Sequence, residues 1–114
     1  LSDKKVFLPK WKEKIITLRI KNKTNITWYK NWRNRVTLRT LNNYSPLYSN
    51  SWIDENIVTW MEESKVSPWK TATFIFKVKA SKEWNYSWNF FTRINSIWTI
   101  KWTEFKINII SWEK

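Results

Sequence analysis

The chain has no glycine among its 114 residues, whereas it has eleven tryptophans. A globular chain of this length is expected to contain roughly eight glycines, because glycine makes up about 7% of average sequences. Glycine is the residue that tight turns use where the backbone adopts a positive φ. A fold built from this sequence must therefore avoid such turns or place another residue in them.

Two tryptophans occupy sequence positions that favour glycine. Trp69 lies in Ser67–Lys70 (SPWK), and a type II turn with proline in second place requires a positive φ at the third residue. Trp32 follows Asn31, where Asn-Gly would be the strongest short hairpin signal. Because a bulky residue at positive φ is an outlier, these tryptophans are out of place in the turns that the sequence predicts.

Our hypothesis is that several tryptophans are UGA codons that the source organism reads as glycine. A translation table that assigns UGA to tryptophan would print this sequence. The high content of lysine, asparagine and isoleucine is typical of an AT-rich genome, in which such reassignments tend to occur. The alternative is a tryptophan-rich binding protein, which leaves the absence of glycine unexplained.

The net charge is +12 at pH 7, from 21 Lys and Arg against nine Asp and Glu. A basic balance of this size suits an anionic polymer such as cell-wall glycan, teichoic acid or nucleic acid. The basic residues are spread along the chain, however, as AT-rich coding would also produce. The candidate polyanion contacts are Arg19, Lys21, Arg33, Arg35, Arg39, Lys77 and Lys79.

Catalytic chemistry has little support in the sequence. Cysteine and histidine are both absent, which excludes thiolate chemistry, histidine acid–base catalysis and the usual zinc sites. The two tight carboxylate pairs, at residues 54–55 and 62–63, are adjacent in sequence, whereas a glycosidase needs carboxyls about 5–9.5 Å apart across a cleft. We expect no enzyme activity, no cofactor, no metal and no small-molecule substrate.

The length predicts one domain over residues 1–114, with a strand-rich core at about residues 12–111. The chain begins at Leu1 without a recognisable leader, so we expect a mature form or a segment of a longer protein. No apolar run approaches the roughly 20 residues of a spanning helix, so we predict no transmembrane segment.

Alternation of apolar and polar residues predicts several short strands. The clearest covers residues 71–80, where Phe74, Phe76 and Val78 face one way. Regularly spaced short strands predict an all-β sandwich or barrel. The other predicted strands lie within residues 16–20, 36–40, 86–94 and 105–110, and residues 45–56 are expected to cross between sheets.

Five segments together resemble a recurring bacterial immunoglobulin-like domain. They are residues 21–28 (KNKTNITW), 45–48 (SPLY), 51–53 (SWI), 66–76 (VSPWKTATFIF) and 82–86 (KEWNY), with glycine in place of Trp69 and Trp84. The family is the four-tryptophan (FW) domain, also called the next-to-BRCA central domain, and the similarity extends over about residues 11–110. The resemblance implies an immunoglobulin-like antiparallel β-sandwich of about seven to eight strands.

The same resemblance assigns seven of the eleven tryptophans to two groups and leaves open the assignment of Trp60, Trp88, Trp102 and Trp112. One group, which we expect to be structural and at least partly buried together with a tyrosine, consists of Trp28, Tyr48, Trp52 and Trp98. The other group matches turn or loop positions where the family has glycine or a small residue. These candidate glycine positions, which we expect in exposed turns, are Trp11, Trp32, Trp69 and Trp84.

The function that the resemblance implies is a non-enzymatic interaction or spacer module of a bacterial surface or secreted protein. Its partner would be a protein or a cell-wall polymer rather than nucleic acid, and its location extracellular or at the cell surface. The alternative is a basic binding domain for an anionic polymer. Steep loss of binding with rising salt would favour that alternative, because phosphate contacts act through counterion release.

Overall fold

The computed structural model describes residues 3–31, 33–40, 47–49, 51–53, 57–81, 84–95 and 98–112. In these ranges the regular structure is entirely strand, so the predicted all-β class is confirmed. The strands are β1 (Lys4–Pro9), β2 (Glu13–Lys21), β3 (Trp28–Tyr29), β4 (Val36–Thr40), β5 (Ile57–Trp60), β6 (Lys65–Val66), β7 (Thr71–Lys79), β8 (Trp84–Ile94) and β9 (Trp98–Trp112).

The strands form a sandwich with one large sheet. Its order is β1-β9-β8-β4-β5, and β2-β7 and β3-β6 form separate two-stranded sheets. One pairing differs from the antiparallel pattern of the other strands, because β1 runs parallel to β9 over six residue pairs. The described strands also exceed the predicted seven to eight. The two-residue strands β3 and β6 are too short to show an alternation in the sequence.

The β2–β7 pair follows directly from its residues. Both strands are rich in β-branched or aromatic side chains, which suit a pleated and half-buried surface. Along β2, Ile16, Leu18 and Ile20 are buried while their neighbours are exposed. The register opposes Leu18 to Phe74, so the apolar sides of both strands face the core together.

Phe90 of β8 lies at the centre of the core and connects the two layers. Its ring centroid is 5.9 Å from that of Phe76 on β7 and 5.5 Å from that of Phe105 on β9. All three rings are buried. Aromatic rings at these separations contribute stability beyond the area that they bury, so this cluster holds β7 against the large sheet.

Strand β9 begins at Trp98, well before the stretch at residues 105–110 that alternation predicts. The reason is a register shift against β8 between Phe90 and Thr92, which breaks the two-residue period. At the shift, the buried hydroxyls of Thr92 and Thr103 lie 2.7 Å apart and satisfy each other. A polar residue therefore points inward where the pattern requires an apolar one.

Candidate functional site

Trp11 and Trp69 lie in equivalent turns with the backbone geometry of glycine. Their φ values are 71° and 70°. The backbone N–H of Lys70 donates to the carbonyl of Ser67 at 3.0 Å. In the turn of Trp11, the backbone N–H of Lys12 donates to the carbonyl of Pro9 at 3.1 Å. Each tryptophan is therefore the third residue of a β-turn, where type II geometry requires a positive φ.

These two turns lie at opposite ends of the β2–β7 pair. The backbone N–H of Trp11 donates to the carbonyl of Ala80, and that of Trp69 donates to the carbonyl of Asn22. The side chains are 60% and 63% exposed, and the ammonium of Lys21 lies 5.6 Å from the Trp69 ring centroid. Since β2 is nine residues long, about 30 Å separates the turns, too far for one aromatic platform.

Two tryptophans differ from their expected environments. Trp84 is the first residue of β8, opposite Ser111, and not part of a turn, because the β8–β9 ladder extends over it. Trp98 is 61% exposed, so the expectation of burial is wrong for this residue. It pairs with Ile94, the last residue of β8, where the sheet ends and leaves its ring uncovered. Trp32 lies outside the described residues.

Trp28 is fully buried, and its environment is structural. Its ring stacks on that of Trp102 with centroids 6.4 Å apart, and its Nε1 donates to the Thr24 hydroxyl at 3.2 Å. Thr24 is held in turn by Asn22, whose buried amide donates to the carbonyls of Ile26 and, at 3.1 Å, Val66. No pattern in the sequence predicts a buried side chain at Asn22.

Trp52 also packs in the core, at the edge of the large cluster. Its Nε1 donates to the carbonyl of Lys77 at 2.6 Å, and its ring meets Phe90 edge to face with centroids 6.1 Å apart. Tyr48 packs edge to face on Trp52 at 5.4 Å and remains partly exposed. Both indoles, Trp28 and Trp52, are therefore occupied by packing and hydrogen bonds rather than presented to a ligand.

In the carboxylate pair at residues 62–63, the carboxyl of Glu63 is engaged in hydrogen bonds. Glu63 accepts hydrogen bonds from the backbone N–H and the hydroxyl of Thr73, each at 2.8 Å. Burial alone would raise the pKa of Glu63, but these hydrogen bonds outweigh it and the pKa is lowered. The pair Asp54 and Glu55 lies outside the described residues. Within the described ranges, no three His, Cys, Asp or Glu side chains are placed to share a metal ion.

A small cavity of about 180 Å³ lies on the outer side of β7. Its lining includes Ile15, Val58, Ile75 and Lys77. Pockets that enclose a small-molecule ligand usually measure about 300–1,000 Å³, so this cavity is too small for most metabolites. The hydroxyls of Ser51 and Thr59 and the ammonium of Lys77 are the polar groups among its lining residues.

The seven predicted polyanion contacts fall into two separate groups. Arg19, Lys21, Lys77 and Lys79 lie on the β2–β7 pair. The others lie on β4 or in the turn before it, in the large sheet: Arg33, Arg35 and Arg39. The two groups occupy different sheets, so the fold does not join them into one continuous surface.

A fourth arginine, which the predicted contacts omit, lies near the arginines of β4 and the turn before it. Arg93 of β8 pairs with Thr37 of β4, which is two residues after Arg35 and two residues before Arg39. Burial lowers the pKa of Arg39, and the positive charges of Arg93 and Arg35 lower it further. Arg93 lies two residues after Phe91 on a predicted strand, so the sequence places both side chains on the same side of that strand.

No protein-family model matches the sequence, and no curated protein shows a significant match to it. In the part of the chain that the structure describes, no helix is long and apolar enough to cross a membrane.

Proposed function

We propose that the chain is an immunoglobulin-like module of the FW type that serves as a non-enzymatic interaction or spacer domain of a bacterial surface or secreted protein. The observation that carries this proposal is the strand order. The neighbouring strands β9-β8-β4-β5 have the order of strands G-F-C-C′ in a variable-type immunoglobulin sheet, and β2-β7 corresponds to the B–E pair of the opposite sheet.

The parallel pairing of β1 with β9 supports the spacer role in particular. Lys4 pairs with Ile107 and Pro9 with Trp112, so the start of β1 and the end of β9 lie at opposite ends of their ladder. Tension applied between these two points acts along the strands and loads six residue pairs at once. This geometry suits one unit of a stalk, in which the neighbouring units would be joined at opposite ends of the domain.

Single-molecule stretching of tandem copies of the chain tests this role. We expect each copy to unfold in one all-or-none step, because the loaded ladder breaks as a unit. Chemical unfolding of a single copy should also be two-state, as for most single domains of this size. Gradual extension at low force, without discrete steps, would count against a spacer module.

A second candidate is binding of an anionic polymer, which the net charge of +12 and the basic residues of the β2–β7 pair favour. Titration with polyphosphate at two ionic strengths tests it. For each phosphate neutralised, the logarithm of affinity should fall with the logarithm of salt concentration by about 0.7–0.9. A chain that does not bind polyphosphate at low salt, or binds it equally at both ionic strengths, lacks this function.

A further inference from the structure

The hydrogen bonds that flank the β2–β7 ladder show which backbone groups of β2 point away from β7. The backbone N–H of Asn22 donates to the carbonyl of Lys70 at 2.8 Å. At the other end, the N–H of Ala80 donates to the carbonyl of Lys12 at 3.1 Å. Antiparallel pairs alternate between bonded and non-bonded positions. The even-numbered residues of β2 therefore bond to β7, and the odd-numbered residues direct their backbone groups to the opposite side.

The far side of β7 is a closed edge, because its backbone groups already have partners. The carbonyl of Thr73 accepts a hydrogen bond from the N–H of Glu62 at 2.8 Å. The N–H of Thr73 donates to the carboxylate of Glu63, also at 2.8 Å. The carbonyl of Lys77 accepts a hydrogen bond from the indole N–H of Trp52. Side chains and neighbouring backbone thus occupy the place of a further strand on this side.

The free side of β2 has no such cover. Four residues direct their backbone N–H and carbonyl groups to this side and have no hydrogen bond there in the part of the chain that the structure describes: Ile15, Thr17, Arg19 and Lys21. We call this row of backbone donors and acceptors the β2 edge. All four residues are exposed, so a partner can approach the β2 edge from solvent.

The β2 edge has the form that addition of another strand requires. Strand β2 is nine residues long, contains no proline and pairs with β7 in a continuous register without a bulge. Proteins that avoid edge-to-edge pairing shorten such strands or interrupt them with proline or a bulge. An extended peptide can add to an open edge, where main-chain hydrogen bonds provide affinity and alternate side chains provide specificity.

The charges beside the β2 edge favour an acidic partner. Four basic side chains lie on the outer face of the β2–β7 pair: Arg19, Lys21, Lys77 and Lys79. The carboxylates described near them, those of Glu13 and Glu63, already accept hydrogen bonds from side-chain hydroxyls. Pairing of β2 with a second copy would bring together two chains that each carry a net charge of +12. An acidic segment has the opposite charge and avoids this repulsion.

An apolar contact lies beside these charges on the same outer face. Ile15 is 61% exposed on β2, and Ile75 is 42% exposed on β7. Ile15 pairs with Lys77 and Thr17 pairs with Ile75, so the two isoleucines are diagonal neighbours. Both also line the cavity of about 180 Å³. An apolar side chain placed opposite Ile15 on an added strand would cover this exposed surface.

We propose that the β2 edge binds an extended acidic segment of a partner protein, which adds to the β2–β7 sheet as a third strand. This inference rests on the first proposed function, an interaction module, and names the chemical class of its partner. The backbone of the segment bonds to the β2 edge, its acidic side chains lie beside Arg19 and Lys21, and an apolar side chain packs on Ile15. A polyanion without a peptide backbone cannot form this ladder.

Titration calorimetry with a short capped peptide of alternating glutamate and valine tests the proposal. Two further peptides are methylated on the backbone nitrogens, one at every glutamate and the other at every valine. A strand directs alternate N–H groups to each side, so only one of these sets faces the β2 edge. We expect one methylated peptide to bind at least about tenfold more weakly than the parent peptide, and the other to bind as the parent does.

Two variants of the chain test the same contacts from the other side. Thr17→Pro removes an N–H from the middle of the β2 edge without removing a β2–β7 hydrogen bond. Lys21→Glu reverses a charge beside the β2 edge, and Lys101→Glu makes the same reversal at an exposed position of β9. We expect Thr17→Pro and Lys21→Glu each to lower peptide affinity about tenfold, and Lys101→Glu to change it less than about twofold.

Circular dichroism establishes that each variant is folded, and the methylated peptides decide the matter if Thr17→Pro is not. Equal binding of the two methylated peptides would overturn strand addition, and equal losses in Lys21→Glu and Lys101→Glu would overturn the location. A dimer in sedimentation that Thr17→Pro dissociates would assign the β2 edge to a second copy and overturn the acidic partner. Failure of the acidic peptide to bind would overturn this inference alone, because the stretching experiment tests the module separately.

Discussion

The two positive-φ tryptophans lead to a prediction in which the usual ranking of alanine and glycine is reversed. Trp69 has a φ of 70° and is 63% exposed, and Trp98 is 61% exposed in β9 without a positive φ. Replacing each tryptophan by alanine and by glycine removes the same ring. The difference between the two variants at one site therefore isolates the backbone.

The expected free-energy differences follow from the two backbone conformations. In a strand, glycine is less stable than alanine by about 0.5–1 kcal/mol, so Trp98→Gly should be the weaker variant. At Trp69 the left-handed conformation costs alanine about 1–2 kcal/mol, which glycine avoids. Glycine also has greater entropy in the unfolded chain, which reduces this advantage of the glycine variant by about 0.4–1 kcal/mol. The free energy of unfolding of Trp69→Gly should therefore exceed that of Trp69→Ala by about 1 kcal/mol.

Thermal unfolding with denaturant titration measures these differences. For a domain of this size, 1 kcal/mol corresponds to about 4–8 °C in Tm, which is well resolved. We expect Trp69→Gly to melt above Trp69→Ala, and Trp98→Gly to melt below Trp98→Ala. Trp11, with a φ of 71°, should behave as Trp69 does.

Two results would refute this reasoning. Alanine equal to or better than glycine at both Trp11 and Trp69 would mean that the turns do not require a glycine-like backbone. Independently, UGG codons at Trp11, Trp32 and Trp69 in the coding DNA would eliminate the reassignment hypothesis, whatever the stability data show. UGA codons at these positions, together with the predicted reversal, would support the reassignment hypothesis on both genetic and physical grounds.

Two further predictions concern buried polar contacts. Asn22→Ala should lower the free energy of unfolding by about 1–3 kcal/mol in urea, because it leaves the buried carbonyl of Val66 and the N–H of Thr24 without their partner. A loss below about 0.5 kcal/mol, which is typical of a surface substitution, would contradict this. Glu63→Gln should cost up to about 1 kcal/mol at neutral pH, because the hydrogen bonds from Thr73 favour the carboxylate. Since the pKa of Glu63 is lowered on folding, this contribution is present above the unfolded-state pKa and disappears as the pH falls through the folded-state pKa. Unfolding curves of both chains across that range should converge at acidic pH, and a gap that persists there would contradict the assignment.

The predictions that succeed concern local pattern. Alternation identified the core of β2, β7 and β8, because side-chain direction in a strand depends only on position along it. It failed for β9, where the shift near Thr92 changes the facing of the residues that follow. The burial of Trp98 that the resemblance implied is also wrong, because burial at the end of a strand depends on what lies beyond it.

At the candidate site, too, the sequence identified individual residues but not their arrangement in space. The sequence identified Arg35 and Arg39 but grouped them with Arg19, which lies on a different sheet. It omitted Arg93, 54 residues from Arg39, because only the pairing of β4 with β8 brings them together. Spacing along the chain contains no information about which strands become neighbours.

The sequence by itself determined an all-β chain and marked Trp69 as a residue in a glycine position. Both conclusions rest on local rules, namely the two-residue period of strands and the φ that a proline-containing type II turn requires. Only the tertiary structure decided that β1 pairs in parallel with β9, that Trp11 lies in an equivalent turn, and that Arg93 lies opposite Thr37. These features depend on sheet order and register, which long-range packing selects among patterns that are locally equivalent.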